Sequence, residues 1–304
     1  MRNEIIKASE LLQRNNPEAI EEAIGLLQHT VYSFSMKMCG HRQDAEDTTQ
    51  EVLFRSLKHL NKLEGPNALA AWLYTVARNR CHRMRRGHLE RNGKKLSLDE
   101  LIPDDDELTS LLLEKGDGPE ETAIHGEQRQ LLHQAVLRLP TPLRMVLVLH
   151  DMEELNSEQI AKILSLQIGT VRVRLHRARL AVRREMARLL KGLPEEKAAA
   201  ERTVTERTAE CRELFANISE YLDARVEQRT SEQMKAHIEK CPACVAFLRD
   251  LRAAVDRCRS FEVACDPDVA QRMRTLMTKE YLRLVEETPG KANSVILPGT
   301  PRKA

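Results

Sequence analysis

The sequence predicts an all-α protein built from small helical modules, and three observations carry that expectation. Only 3% of the 304 residues are aromatic. Leu, Ala, Glu, Arg and Gln recur at helical spacing, and Val/Thr/Tyr alternation of the kind that marks a half-buried strand is scarce. A chain of this length is long enough for one large domain or two to three small ones. Its apolar runs, such as Met145 to Leu149, fall far short of the roughly 18 residues that span a bilayer. The first residues are charged (Arg2, Glu4, Lys7) and lack a leader-like apolar core, so the expected compartment is the cytoplasm. There, the seven cysteines read as thiols or metal ligands.

The overall balance of +2 conceals segregated charge. Residues 71–95 carry six Arg and two Lys against Glu90, a net of +7. Residues 99–127 carry eleven acids against Lys115, a net of −10, with Pro103, Gly116, Gly118 and Pro119 interrupting them. Residues 170–191 return to +7, with seven Arg and one Lys against Glu185. Two basic helical modules on a flexible acidic tether suit a protein that grips one nucleic acid at two places, because phosphate neutralisation supplies much of the affinity; solvated Arg-rich surfaces are the plainer alternative. The expected organisation is a first module over 1–95, an acidic linker over 96–124, a second module over 125–191, a linker over 192–208, a third module over 209–286 and a Pro/Gly-containing tail over 287–304.

Within the first module, Asp44, Glu46, Asp47 and Glu51 place carboxylates along one helix. Such a face favours a basic protein partner over DNA, or is simply solvated. Further on, Trp72 and Tyr74 sit beside Arg78, Asn79, Arg80 and Arg83. Aromatics among cations suit unstacked bases, whereas a lone Trp at helical spacing from Leu73 and Val76 also fits a core.

In the second module, Ser157 is expected to cap a short helix with Ile160, Ala161, Ile163 and Leu164 on its buried face. Thr170 is expected to cap a second helix, in which Val171, Leu175, Ala178 and Val182 pack while Arg172, Arg174, Arg177 and Arg179 form a basic face. Two helices joined by a tight turn, the second one basic, suit a helix-turn-helix whose arginines reach guanine edges in a major groove or hold phosphates; a helical hairpin that binds no DNA is the alternative.

The third module contains His237-x₃-Cys241-x₂-Cys244 with Cys211 upstream. Three thiolates and one imidazole fill a tetrahedron, which predicts one structural zinc ion with no open coordination position. Free core thiols or a redox disulfide are the alternatives, and Cys258 and Cys265 are candidates for a thiol switch. A module this small gains stability from a metal staple. Beyond it, Val269, Met273, Leu276, Met277, Tyr281 and Leu284 form a Met-rich stripe suited to docking on the earlier modules or on the zinc module. Neither a phosphate-cradling Gly loop nor a nucleophile–base pair occurs, so no enzymatic role is expected.

Gly169-Thr170-Val171-Arg172-Val173-Arg174-Leu175-His176-Arg177-Ala178-Arg179, following Leu139-Pro140 and residues 157–161, resembles the domain 4 signature of extracytoplasmic-function (ECF) sigma factors. Residues 42–52 resemble the acidic helix of sigma domain 2 that docks on the RNA polymerase clamp, and residues 71–79 resemble its promoter-melting helix. The resemblance implies two partners, core RNA polymerase and promoter DNA. It implies polymerase contacts by Asp44, Asp47, Gln50 and Glu51. It places Asn61, Leu63, Trp72, Asn79 and Arg83 at the −10 element, and Thr170, Arg172, Val173, His176 and Arg177 at the −35 element. Leu63 stands where an aromatic is common, Val173 where Ser is common, and Ser165 where Gly is common. Residues 211–258 resemble the zinc-binding anti-sigma domain, with Cys211, His237, Cys241 and Cys244 as ligands. That domain is usually a separate protein; here it shares the chain, which implies regulation in cis through a contact between the zinc domain and the sigma domains. The rival expectation is a stand-alone helix-turn-helix regulator with a zinc- or thiol-sensing domain.

Overall fold

Asn16 begins the second of twelve helices found among the described residues, and its side chain shows how firmly the sequence sets their limits. Its Oδ1 accepts from Ala19 N at 2.8 Å, Pro17 occupies the first turn, and Gly40 closes the far end at φ 76°, where a side chain would be strained. The computed structural model describes residues 1–14, 16–87, 119–192 and 209–287. Those residues contain no strand. They form two compact units, one comprising Met1–Asn92, Val148–Ile168 and Glu262–Ala304, the other Gly93–Leu147 and Gly169–Phe261.

The first unit holds α1 (Asn3–Arg14), α2 (Pro17–Cys39), α3 (Arg42–Leu57), α4 (Gly65–Gly87), α7 (Ser157–Leu164) and α12 (Pro267–Glu287). Helix α2 is its spine. Helices α1, α3, α4 and α12 all pack on it, around Ile20, Ile24, Leu27, Phe34, Leu73 and Tyr74, each at most 2% exposed. Phe34 and Tyr74 meet edge-to-face at 5.3 Å. Gly25 leaves room on α2 for α12: a Cβ there would lie 3.2 Å from Arg274 Cδ.

The Met-rich stripe of α12 therefore docks on α2 and α3, with Met277 and Tyr281 buried. Its entry is fixed by Arg42 Nη2 and Asp266 Oδ2 at 3.0 Å. That exposed pair holds Asp266 below the usual carboxylate range.

A π-turn at Val148–Met152 delivers Glu153 into the same unit, where it has no solvent exposure. Glu153 Oε1 lies 2.8 Å from Lys37 Nζ, Tyr74 Oη donates to Oε2 at 2.7 Å, and Arg2 Nε lies 3.4 Å from Oε2. Burial pushes the Lys37 ammonium below its ordinary value, with Glu153 opposing that shift. A buried carboxylate demands such partners, since its desolvation alone costs several kcal/mol, roughly.

The second unit holds α5 (Pro119–Arg138), α6 (Thr141–Leu147), α8 (Ile168–Leu190), α9 (Ala209–Leu222), α10 (Gln228–Ile238) and α11 (Pro242–Arg259). Helix α5 begins at Pro119, inside the segment expected to be linker. Proline is tolerated in a first helical turn, where its missing N–H would be unpaired anyway. The remainder of the acidic linker up to 118, the second linker over 193–208 and the tail beyond Glu287 lie outside the described residues. Helices α9, α10 and α11 pack on one another through Leu214, Phe215, Ile218, Phe247 and Leu251, with Phe215 and Phe247 edge-to-face at 4.7 Å.

Candidate polymerase, nucleic-acid and metal sites

Helix α3 buries Ala45, Thr48, Thr49, Val52 and Leu53 and turns its polar side outward, as a 3.6-residue period requires. Glu51 pairs with Arg55 and Arg80, each at 2.7 Å. Asp47, Gln50, Glu51 and Phe54 line a groove of about 420 Å³ whose other wall is Leu276, Met277 and Glu280 of α12. Asp44 lies on α3 but does not line that groove. Phe54 and Leu276 are half exposed, at 48% and 53%, so the groove has an apolar floor with an acidic rim.

On α4, Trp72 is only 5% exposed. Its Nε1 donates to Ser56 Oγ at 3.3 Å, and its ring meets His59 at 4.2 Å. The base-stacking expectation for Trp72 is thus corrected: in this conformation it fills the core between α3 and α4. Asn79 Oδ1 accepts from Arg78 Nε at 3.0 Å and from Nη2 at 2.7 Å. Arg78 also donates from Nη1 to Ile163 O at the end of α7, and Gln159 Nε2 donates to Asn67 Oδ1 at 2.7 Å. Leu63 is half-buried just after the 3₁₀ turn Leu60–Lys62. Asn61 lies in that turn and Arg83 on α4, but their side chains lie outside the described residues.

Helix α7 is capped by Asn156, one residue before the expected Ser157. The Asn156 side chain accepts from Gln159 N, and Gln159 Oε1 accepts from Asn156 N, both at 2.9 Å, forming a capping box. Ser157 is instead the first helical residue and is buried. The helix ends at Ser165, at φ 55° and ψ 47°. A residue with a Cβ there costs about 1 kcal/mol.

Helix α8 starts at Ile168, so Thr170 lies in its first turn and is not its cap. Arg172, Val173 and Arg177 are exposed, and Thr170 is half-buried. His176 is buried at 9% with neither ring nitrogen hydrogen-bonded. Burial, reinforced by Arg179 and Arg177, lowers its imidazole to about 4. A direct DNA contact by His176 therefore requires its cover to move.

The cysteine–histidine group comes together. His237 Nε2 lies 3.3 Å from both Cys211 Sγ and Cys244 Sγ, the two sulfurs lie 3.7 Å apart, and all four ligand atoms, Cys241 included, fall within 4.8 Å of one another. A tetrahedral ion with Zn–S bonds of about 2.3 Å has edges of about 3.8 Å, so the four residues fit. Burial and the neighbouring thiols push the Cys244 thiol well up, and a cation offsets that cost by holding the sulfurs as thiolates. Cys211 opens α9, His237 ends α10, and Cys241 and Cys244 begin α11, so one ion would tie three helices together.

Comparison with known proteins gives the same order of parts. Residues 24–90 match Sigma-70 region 2, residues 129–182 match Sigma-70 region 4, and residues 211–244 match a zinc-finger family. The chain carries segments similar to Sigma-70 regions 2 and 4, in that order. Similar proteins include the RNA polymerase sigma-H factor of Pseudomonas aeruginosa, 28% identical over 184 residues that cover 60% of this chain and 93% of that protein. The ECF RNA polymerase sigma factor SigW of Bacillus subtilis is 26% identical over 60% of this chain and 96% of its own length. The ECF RNA polymerase sigma-E factor of Escherichia coli K12 is 28% identical over 60% and 94%.

Helices α3 and α4 lie within the segment that matches region 2, and α6, α7 and most of α8 within the segment that matches region 4. The sequence did not single out Phe54, although an apolar residue three places after Glu51 on a polar face was a usable signal. Nor did it single out Glu153, Glu220, Asp223 or Asp250, because isolated acids in a chain with 46 Asp and Glu carry no local mark of burial. Asp223 binds Arg179 with both oxygens, at 3.0 and 2.9 Å. Asp250 Oδ2 lies 3.5 Å from Arg183 Nη2.

Proposed function

We propose that this sigma factor binds core RNA polymerase through the outer face of α3, around Asp44, Asp47, Gln50 and Glu51. In this reading it opens the −10 element with α4 and the preceding turn, around Asn61, Leu63, Asn79 and Arg83, and reads the −35 element with α8. The chemistry of RNA synthesis belongs to the polymerase, and the factor works beside it in the cytoplasm. Among the described residues, no helix is long and apolar enough to cross a membrane. The acidic rim of the α3 groove suits a basic protein surface and repels phosphate. One zinc ion on Cys211, His237, Cys241 and Cys244 supplies structural cross-linking of α9, α10 and α11 when bound.

The residues after region 4 act in cis as a restraint. The observation that carries this reading is the groove shared by α3 and α12: a polymerase surface seated on Asp47, Gln50 and Glu51 meets Leu276, Met277 and Glu280 in the same place. Tethering on one chain gives effective concentrations on the order of millimolar, so a weak contact suffices. Run-off transcription from a promoter library with purified core polymerase tests the reading. Polymerase-dependent starts are expected with the full chain, and more of them when residues 196–304 are removed. Duplex binding without any polymerase-dependent start from either protein would point instead to a stand-alone operator-binding regulator.

A further inference from the structure

One stripe of α8 is already occupied. Arg172, His176, Arg179 and Arg183 follow one another at intervals of four, three and four residues, which aligns them on one side of the helix. Arg172 Nη1 lies 3.9 Å from Glu220 Oε1. Arg179, with no solvent exposure, makes its two-pronged pair with Asp223 and donates to Ser219 O at 3.1 Å. Arg183, 3% exposed, reaches Asp250 and lies 4.7 Å over the Phe247 ring. The acids come from the last turn of α9, the residue just after it, and α11, all within the zinc-binding module.

These groups do what a DNA backbone would do. A planar guanidinium accepts a carboxylate or a phosphate with the same two-pronged geometry, but not both at once. Space gives the same answer. The major groove is about 12 Å wide, and a helix with its side chains is about 10–12 Å across. It therefore admits α8 alone, not α8 with α9 along its flank. The side that bears Val173 and Arg177 stays open, so the module excludes duplex by crowding the flank and neutralising the arginines there.

The geometry points to an acidic latch, in which Glu220, Asp223 and Asp250 of the zinc-binding module hold the arginine stripe of α8 and compete with promoter DNA for it. The latch rests on the reading of α8 as the duplex-reading helix, and it acts on DNA binding separately from the α3 groove. Opening it requires breaking the buried Arg179–Asp223 pair.

The test uses the full-length chain carrying Asp223→Asn and Asp250→Asn, which remove charge while keeping shape, with Glu220→Gln as a milder variant at an exposed pair. Glu239→Gln, on the exposed side of the same module, controls for net charge. Phenylglyoxal labelling followed by peptide mass analysis reports the access of Arg179, with exposed Arg177 as internal reference. Fluorescence anisotropy with a short random-sequence duplex reports binding. The expected result is Arg179 labelled to the level of Arg177 in the double variant, about tenfold tighter duplex binding, a smaller gain in Glu220→Gln and none in Glu239→Gln. Unchanged labelling and unchanged affinity in the double variant would overturn the latch. So would freed arginines without tighter duplex binding, or an equal gain in Glu239→Gln. If the double variant fails to fold, Glu220→Gln decides alone, since that pair is exposed, and no gain there overturns the latch. None of these results is the absence of polymerase-dependent transcription, which is what would sink the sigma-factor reading.

Discussion

Two residues of region 4 carry costs that mutation can expose. Ser165 holds a left-handed backbone conformation, and Ser165→Gly is expected to raise stability by up to about 1 kcal/mol, seen as a higher urea midpoint at unchanged slope. A lower midpoint would mean that the Ser165 side chain makes a contact worth more than the strain. His176 is the second case. Its folded imidazole protonates only near 4, whereas in the unfolded chain it does so near 6.5. Between those values the unfolded chain holds more protons, so stability falls as pH drops from about 6.5 to about 4, by at most about 3 kcal/mol. His176→Leu, which fills the same buried site without orphaned ring nitrogens, is expected to flatten that part of the profile in urea titrations near neutral pH and at about pH 4.5. An unaltered profile would assign the acid sensitivity elsewhere.

At the scale of elements, the Cys211–His237–Cys241–Cys244 group joins the helices that carry the acids. Cys211 and Asp223 lie at opposite ends of α9, and Cys244 and Asp250 lie within two turns of α11, so a tetrahedral ion held by the four residues would fix where both carboxylates stand. Removing zinc with a chelator, or replacing Cys241 with Ser, is expected to lose helical signal in circular dichroism and to speed amide exchange across α9–α11, because a module of this size has little core to fall back on. Equal exchange with and without chelator would leave the Phe215–Phe247 core as sufficient. The meeting of Cys211, His237, Cys241 and Cys244 was legible in the sequence because their spacing is that of a metal-binding set. Helix periods were legible too, since the packing faces of α7 and α8 follow their apolar repeats. The cap of α7 was misplaced by one residue because Asn156 and Ser157 are both good caps, and only Asn156 completes the reciprocal bond with Gln159. Trp72 was ambiguous for a deeper reason: an aromatic beside arginines looks the same in a sequence whether it faces bases or Ser56. The acids that meet Arg179 and Arg183 were illegible, since partners 44 and 67 residues away leave no periodic trace.

At the scale of the whole chain, the two basic regions were expected to be free for DNA and the acidic face of α3 free for polymerase, whereas α8 and α3 each have a companion from the residues that follow region 4. Helix α12 is the companion of α3, and its hold depends on apolar burial. Met277 is 1% exposed and borders the groove with Asp47, Gln50 and Glu51. Replacing it with Asp puts an unpaired carboxylate against α2 and α3, a penalty of several kcal/mol, roughly, borne by the α12 contact and not by the α1–α4 packing. If α12 competes with core polymerase, Met277→Asp is expected to tighten polymerase binding about tenfold in a competition assay against a labelled reference sigma factor. Asp47→Arg in the same background should reverse that gain, because it alters the α3 face itself. Release of α12 with unchanged polymerase affinity would mean that the groove is not where polymerase seats, and would transfer the restraint to Glu220, Asp223 and Asp250, the acids that hold α8.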